Sequence, residues 1–481
     1  MSISSALNIA RTGLHVSGLR AETVAANVAN ASTPGYVRRS VAVSETISGG
    51  RSSGVQVVGI ERAPDAVIKS QRRALTSDTA QATVLAQTWK ALSTRLGSTA
   101  DGSGLFKAFS DLDTALARAV TAPETATNLT LLMNAAKGIT RELASLSEYT
   151  ASLRAEADRE IAAGVDTVNT ALQQIESLNR RLAGIDRTSA QAAALFDERQ
   201  RALDTISEYM PVKAIERDAG AIDVITPEGV FLLVSNARQI EFQPGTAFTP
   251  DSTLAGGTLS GISVDGTPLT PGSTSFGAVS SGLFGALFTL RDQDLPAFSA
   301  QLDFIAADLI SRFSGSADPT LAPGDPGLFI DADPAGGPGL AARLAINAAA
   351  DPQQGGELWR LRDGMNAVTE GPPGNNGILS VLQAAFRTGQ PVNSNGFQGL
   401  FSATELAAQF ASLTGQTRLF HEGVAAAATA QHATLMEAEL RLTGVDIDDQ
   451  MQQLLLIEQA FAANARVIQV ASEMIRVLME L

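Results

Sequence analysis

The stretch "NVANASTPGYVRR", Asn27–Arg39, decides how the chain begins to fold. A helical apolar pattern runs into it and strand-like sequence runs out of it. Asparagine tolerates the left-handed conformation that closes helices, so a helix is predicted to end near Asn27 to Asn30. Pro34 then biases Thr33 towards an extended backbone. Thr33-Pro34-Gly35-Tyr36 matches a type II turn, with proline second and glycine third. Upstream, Ile3, Leu7, Ala10, Leu14, Ser17, Ala21, Val24 and Val28 alternate steps of four and three. That spacing is an a/d heptad seam. Its small residues allow a partner helix to approach closely.

Beyond the turn, "VRRSVAV" and "SGVQVVGI" predict two strands around a Gly/Ser-rich loop, Ser48 to Gly54. Helical sequence begins at about Asp65. Leu129, Leu132, Ala136, Ile139, Leu143 and Leu146 keep helical spacing, and Leu153, Ala157, Ile161, Val168, Leu172, Ile175 and Leu182 extend it. No proline lies between Glu124 and Met210, which predicts a rod-like helix of about 55 residues, roughly 80 Å at 1.5 Å per residue. The pattern changes to alternation in "VKAIERDAGAIDVITPEGVFLLV", and Asp265-Gly266 is a hairpin signal. Helix returns with Pro296 near its start and Phe298, Leu302, Ile305, Leu309 and Phe313 on one face. Residues 315 to 340 read as irregular. Helical sequence resumes near Thr404, with a break at Gly444.

The last segment carries an apolar stripe of Met451, Leu454, Leu455, Phe461, Ile468, Ile475 and Leu478, widened by Val467, Val470, Met474, Val477 and Leu481. A broad stripe of this kind needs a partner, and the first helix is the obvious one. The predicted fold is therefore mainly α with a β-rich outer module. Residues 1–32 and 446–481 form a terminal coiled-coil assembly domain. Residues 33–208 and 400–445 form a long-helix bundle with a β-hairpin at 36–62. Residues 209–399 form an inserted β-rich module with a helix at 282–314. The candidate assembly seam is Ile3, Leu7, Leu14, Val24 and Val28 with Met451, Leu454, Phe461, Ile468, Ile475 and Leu478. The candidate turn motif is Asn27, Asn30, Thr33, Pro34, Gly35 and Tyr36.

Composition narrows the function classes. The 481 residues are 44% hydrophobic and only 5% aromatic, which suits long, close-packed helices. A net charge of −15 argues against a nucleic-acid partner. The absence of cysteine removes disulfides, thiolate metal sites and thiol nucleophiles. The first basic residue is Arg11, too late for the n-region of a cleavable signal, and no unbroken apolar run reaches membrane-spanning length, so no membrane insertion is expected. His421 and His432 stand eleven apart, too far for one metal site on one helix. "DADPAGGPG" places Asp331, Asp333 and Gly336 as in a calcium loop, but Ala335 and Ala342 occupy two ligand positions. No cofactor and no catalytic site is predicted.

The first 70 residues resemble the flagellar rod, hook and hook-associated protein family. "ANVANASTPGY" is similar to that family's Asn-rich Pro-Gly-Tyr signature, and "GVQVVGIERAPDAVIKSQRR" to the family's next segment. "LFDERQRALDTISEYMPVKAIERDAGAIDVITPEGVFLL" and "TGVDIDDQMQQLLLIEQAFAANARVIQVASEMIRVLMEL" resemble the segments of the members found where hook meets filament. Where relatives carry Tyr in the last stripe, Phe461 keeps the ring without the hydroxyl. Residues from about 240 to 400 are poorly matched. The resemblance implies a structural protein exported through the flagellar type III apparatus and located outside the cell at the hook–filament junction. It implies self-assembly, contacts with the hook protein and a second junction protein, and a cytoplasmic export chaperone. A hook or distal-rod protein, or an axial protein carrying a peptidoglycan hydrolase, is the alternative.

Overall fold

In the computed structural model the described residues are all but 1–2, 49–50, 64–65, 99, 101, 247, 270–276, 278, 280, 316, 334 and 481. Helix α1, Ile3–Ala29, runs into the turn and out into a long antiparallel hairpin of β1, Arg39–Ser48, and β2, Arg51–Arg62. The tip at 49–50 lies outside the described residues. Four helices come next in the chain: α2, Ala66–Leu96; α3, Gly104–Thr121; α4, Ala126–Ala183; and α5, Ala190–Tyr209. The expected rod is α4, at 58 residues, or about 87 Å. It stops at Gly184 and does not run on to Met210. Ser189 then caps α5 by accepting from the Ala192 amide at 3.1 Å.

Two small antiparallel sheets are built from the segment after α5. Strands β3, Lys213–Glu216, β4, Ile222–Ile225, and β5, Phe231–Leu233, form one; β6, Ile240–Glu241, β7, Ile262–Val264, and β8, Thr267–Leu269, form the other. Asp265 and Gly266 join β7 to β8 with φ of 47° and 75°, the two positive values a tight hairpin turn requires. The helix expected over 282–314 is two pieces, α6, Gly282–Thr289, and α7, Leu295–Arg312, joined by a π-helical turn over Leu290–Asp294. Pro296 explains the change of pitch. It has no amide to donate and its ring crowds the preceding turn, which the wider π geometry accommodates.

Strand β9, Phe329–Asp331, pairs with β10, Leu344–Ile346, across the short α8, Leu340–Arg343. Then come α9, Arg360–Asp363, α10, Gly377–Arg387, and the hairpin of β11, Gln390–Ser394, with β12, Phe397–Phe401. Ser402 and Glu405 cap α11, Ala403–Thr443, reciprocally through side chain and backbone. The break at Gly444 leads into α12, Ile447–Glu480.

Helix α4 is the spine because its apolar stripe continues from end to end. Leu129 to Leu146 share a core with α2, α3, α7, α10 and the first turns of α11, where Phe298 packs on Phe410 at 4.9 Å between ring centroids. Ala157 to Ile175 share a second core with α5, α6 and both three-stranded sheets. The two cores cut across the expected divisions at 209 and 399. Residues from Ala286 to Phe410 belong largely to the first core, and the three-stranded sheets end at Leu269, with only the two-stranded pairs β9–β10 and β11–β12 beyond. Their apolar helices bury against α3 and α4, and this hydrophobic burial overrides the Gly/Pro-rich look of the connecting loops.

Between the two cores lies a buried ionic joint. Arg291, in the π-helical turn, donates to Asp158 of α4 at 2.6 Å and to Asp292 at 2.9 Å, and its guanidinium stands 4.8 Å over the Phe288 ring. Asp158 also accepts from the Gly245 amide at 2.8 Å. Arg154, one turn earlier on α4, donates to the carbonyls of Arg291 and Thr249 and to that of Ser252. The joint thus ties the loop before β7 and the π-helical turn to the middle of α4.

Candidate assembly interface

Asn27 is the hub of the opening motif. Its side-chain amide donates to the Arg39 carbonyl at 2.9 Å and to Gln450 Oε1 at 2.8 Å. Its side-chain oxygen accepts from the Tyr36 hydroxyl at 2.9 Å and from the Arg39 amide at 3.0 Å. All four of its hydrogen-bonding positions are used, at 1% exposure. One buried side chain thereby joins α1, the turn, β1 and α12. Burial raises the Tyr36 pKa, so its hydroxyl stays protonated and donates.

The rest of the motif holds the turn. Asn30 donates to the Ala26 carbonyl at 2.9 Å and its side-chain oxygen accepts from Thr33 Oγ1 at 3.3 Å. The Tyr36 amide donates to the Thr33 carbonyl at 3.1 Å, across exposed Pro34 and Gly35. Gly35 has φ +74°, and a Cβ there would stand 2.9 Å from Cγ of Arg201. Gly35→Val should therefore lower the urea unfolding free energy by about 1–3 kcal/mol, with Gly35→Asn milder, because a branched side chain resists positive φ. Equal midpoints for the two variants would contradict this.

The basic residues after the turn have a structural task that their sequence did not reveal. Arg39 and Arg62 are register partners at the base of the hairpin, and both bind Asp197 of α5, at 3.0 and 3.1 Å. The Arg38 amide donates to the Thr443 carbonyl at 2.8 Å, covering the end of α11. Gln450 and Asp197 carried no local signal: each matters only through residues far away in sequence.

Helices α1 and α12 run antiparallel. Asn27 meets Gln450 at one end, and Gly13 lies so close to Asn464 that a Cβ would come within 2.8 Å of its amide. Of the seam residues expected on α1, Val24 is buried and Ile3, Leu7, Leu14 and Val28 are half-buried. On α12 the expected stripe divides. Gln450 and Ala471 are buried, and Leu454, Ile457, Asn464 and Ile468 are half-buried. Met451, Phe461, Ile475 and Leu478 are exposed. The antiparallel register places Ile475 and Leu478 beyond the start of α1, and Met451 falls beside the buried row rather than in it.

A second heptad row is open. Leu456, Ala460, Ala463, Val467, Val470, Met474 and Val477 repeat steps of four and three, and all are exposed. Beside it, Ile3 and Ala6 of α1 with Val467, Val470, Ala471 and Met474 line an apolar cleft of about 310 Å³. The stretch Ala403–Glu480 contains a window long and apolar enough to cross a membrane by length and composition, with mean hydropathy 1.2. Counting unbroken apolar runs missed it because the apolar residues are spread as rows around the helices. The histidines are dispersed: His421 stacks on Trp89 and His432 lies 3.1 Å from Thr76 Oγ1.

A model of the "Flagella basal body rod protein" family matches residues 7–36, and one of the "Flagellar basal body rod FlgEFG protein C-terminal" family matches 439–481. Between them, the model "Flagellar hook-associated protein FlgK helical domain" matches 89–317. The chain is thus similar to flagellar axial proteins at both ends and, over its middle, to the helical domain of hook-associated protein 1. The first two matches fall on α1 with its turn and on α12 with the end of α11. Flagellar hook-associated protein 1 of Escherichia coli K12 is 24% identical over 322 residues, 65% of this chain and 57% of that protein. The Bacillus subtilis protein of the same name is 23% identical over 235 residues, 46% of each. The chain thus spans little more than half the length of the first and less of the second. A solved flagellar hook junction protein FlgK from Burkholderia pseudomallei aligns with TM-score 0.43 and 20% identity over 54% of this chain and 46% of that one.

Proposed function

We propose that this chain is a flagellar axial protein, a non-catalytic adaptor at the junction of hook and filament, exported by the flagellar type III system and assembled outside the cell. The open heptad row of α12 carries the reading. A single molecule satisfies one row of that helix with α1 and leaves the other bare, as a subunit built to pack among copies of itself would. The 1–32 and 446–481 pair forms the assembly layer, and the helical bundle with its sheets lies outside it. The hook protein is the partner on one side and the second junction protein on the other. The cytoplasmic export chaperone covers the exposed apolar rows of the last two helices before assembly.

Val470→Asp and Met474→Asp test this without disturbing the fold, since both side chains already face solvent in the monomer. Each should abolish incorporation and swimming, because an unpaired carboxylate in a buried seam costs several kcal/mol per subunit. The purified monomers should keep wild-type circular dichroism and thermal stability. Normal filament attachment in both variants would sink the reading.

A further inference from the structure

An open cavity of about 710 Å³ lies where α2, β2, α5 and β3 meet. The chain as a whole is strongly acidic, yet among the described residues the charged lining of this cavity is almost entirely cationic, with Glu216 its one carboxylate. Three of the cations are matched by acids: Arg62 by Asp197, Arg73 by Asp204 and Arg217 by Asp223. Four are not. Lys69, Arg187 and Lys213 make no hydrogen bond or ion pair among the described residues, and Arg199 donates only to neutral oxygens, Asn179 Oδ1 at 3.1 Å and the Gly220 carbonyl at 2.6 Å.

Two of the unmatched groups are deep. Lys69 is 7% exposed and Arg199 is 8% exposed. Arg199 is held against the Phe196 ring at 5.1 Å, with Arg62 over the same ring at 5.6 Å. Burial, with Arg62, Arg187 and Arg73 nearby, pushes the Arg199 pKa down to about 10 despite Glu216. Burial and the Arg62 and Arg73 charges likewise lower Lys69, against the opposing pull of the Glu439 and Asp197 carboxylates. A buried ammonium without a partner is costly, and structural ion pairing, which explains the neighbouring arginines, does not explain this one. The cavity has the size of a small-molecule site, about 300–1,000 Å³. Guanidinium forks and an ammonium are the donors that suit oxyanions.

We propose that this cavity binds a small multivalent oxyanion, a phosphate ester or a polycarboxylate, with Lys69 and Arg199 at its floor and Arg187 and Lys213 at its mouth. The bound anion supplies direct contacts where the chain offers these cations only the more distant charges of Glu439, Asp197 and Glu216. It bridges the hairpin, two helices and the first small sheet, so it stiffens the region that supports the opening turn. The inference is independent of the assembly reading.

Isothermal titration and thermal unfolding of the full chain with pyrophosphate, and separately with citrate, test it against sodium chloride at matched ionic strength. One saturable site is expected for at least one anion, with Tm rising with its concentration. Tighter pyrophosphate binding identifies a phosphate ligand, and tighter citrate binding a polycarboxylate. Lys69→Met, which keeps the side-chain volume, should weaken binding by about tenfold or more. Lys213→Gln, on the exposed rim, keeps the fold and should weaken it by about threefold; it decides the matter if Lys69→Met does not fold. No saturable binding of either anion overturns the proposal, as does unchanged affinity in the folded variants.

Discussion

Asp158→Ala should remove about 3 kcal/mol of unfolding free energy, the lower end of what breaking a buried ion pair costs. Arg291 is fully buried and Asp158 is 1% exposed, so water cannot replace the lost carboxylate. The effect stays at the lower end because Asp292 remains on the guanidinium. The Gly245 amide loses its acceptor as well. Arg154 and Arg291 then share a single anion, Asp292, which loosens the loop at 249–252 that Arg154 holds. Urea unfolding should show a lower midpoint. The double variant Asp158→Ala with Arg291→Met should recover most of the loss, since an apolar pair needs no charge balance. A loss below about 1 kcal/mol in the single variant would mean that the joint is solvated in solution.

Asn27→Leu should cost a similar amount, about 3 kcal/mol, by a different route. The substitution keeps the bulk but strands four polar groups, at about 1–3 kcal/mol for each that finds no new partner. Tyr36 and Gln450 can rotate towards water. The Arg39 amide and carbonyl are fixed in the backbone and cannot. The damage should concentrate where α1, the turn, β1 and α12 meet. Amide exchange should quicken at Arg39 and in the first turns of α12, with α4 unaffected. Limited proteolysis should open the chain between Ala29 and Arg39. Protection at Arg39 equal to wild type would show that the hub is dispensable. A defect in assembly is expected at concentrations where the monomer is still folded, because the joint sets the angle between the paired helices and the rest of the molecule.

The local features of this protein are written locally. A helix must stop before Pro34, glycine is favoured at position 35 where φ is positive, and Asp265-Gly266 closes a hairpin, because each depends on backbone sterics within four or five residues. The heptad of α1 and the long apolar period of α4 are similarly legible: a continuous helical stripe has one economical structure. Periodicity also announced that α12 needed company on a broad face. It did not say which part of that face α1 would take. Leu454 and Ile468 went into the seam, Phe461, Ile475 and Leu478 did not, and Gln450 and Asn464 entered unannounced. That choice rests on antiparallel register, which is fixed by Asn27 meeting Gln450, 423 positions away.

The same limit applies to the segment after the small sheets. Leu302, Ile305 and Leu309 of α7 showed their apolar face in the sequence, but only packing against α4 shows that this face closes the first core and not a separate module. Charges obey the rule most clearly. Asp158 and Arg291 lie 133 positions apart, and Lys69 and Arg199 reach one cavity from different helices. Sequence fixes which ionisable groups exist; burial decides which of them must be matched, and burial is a property of the folded chain.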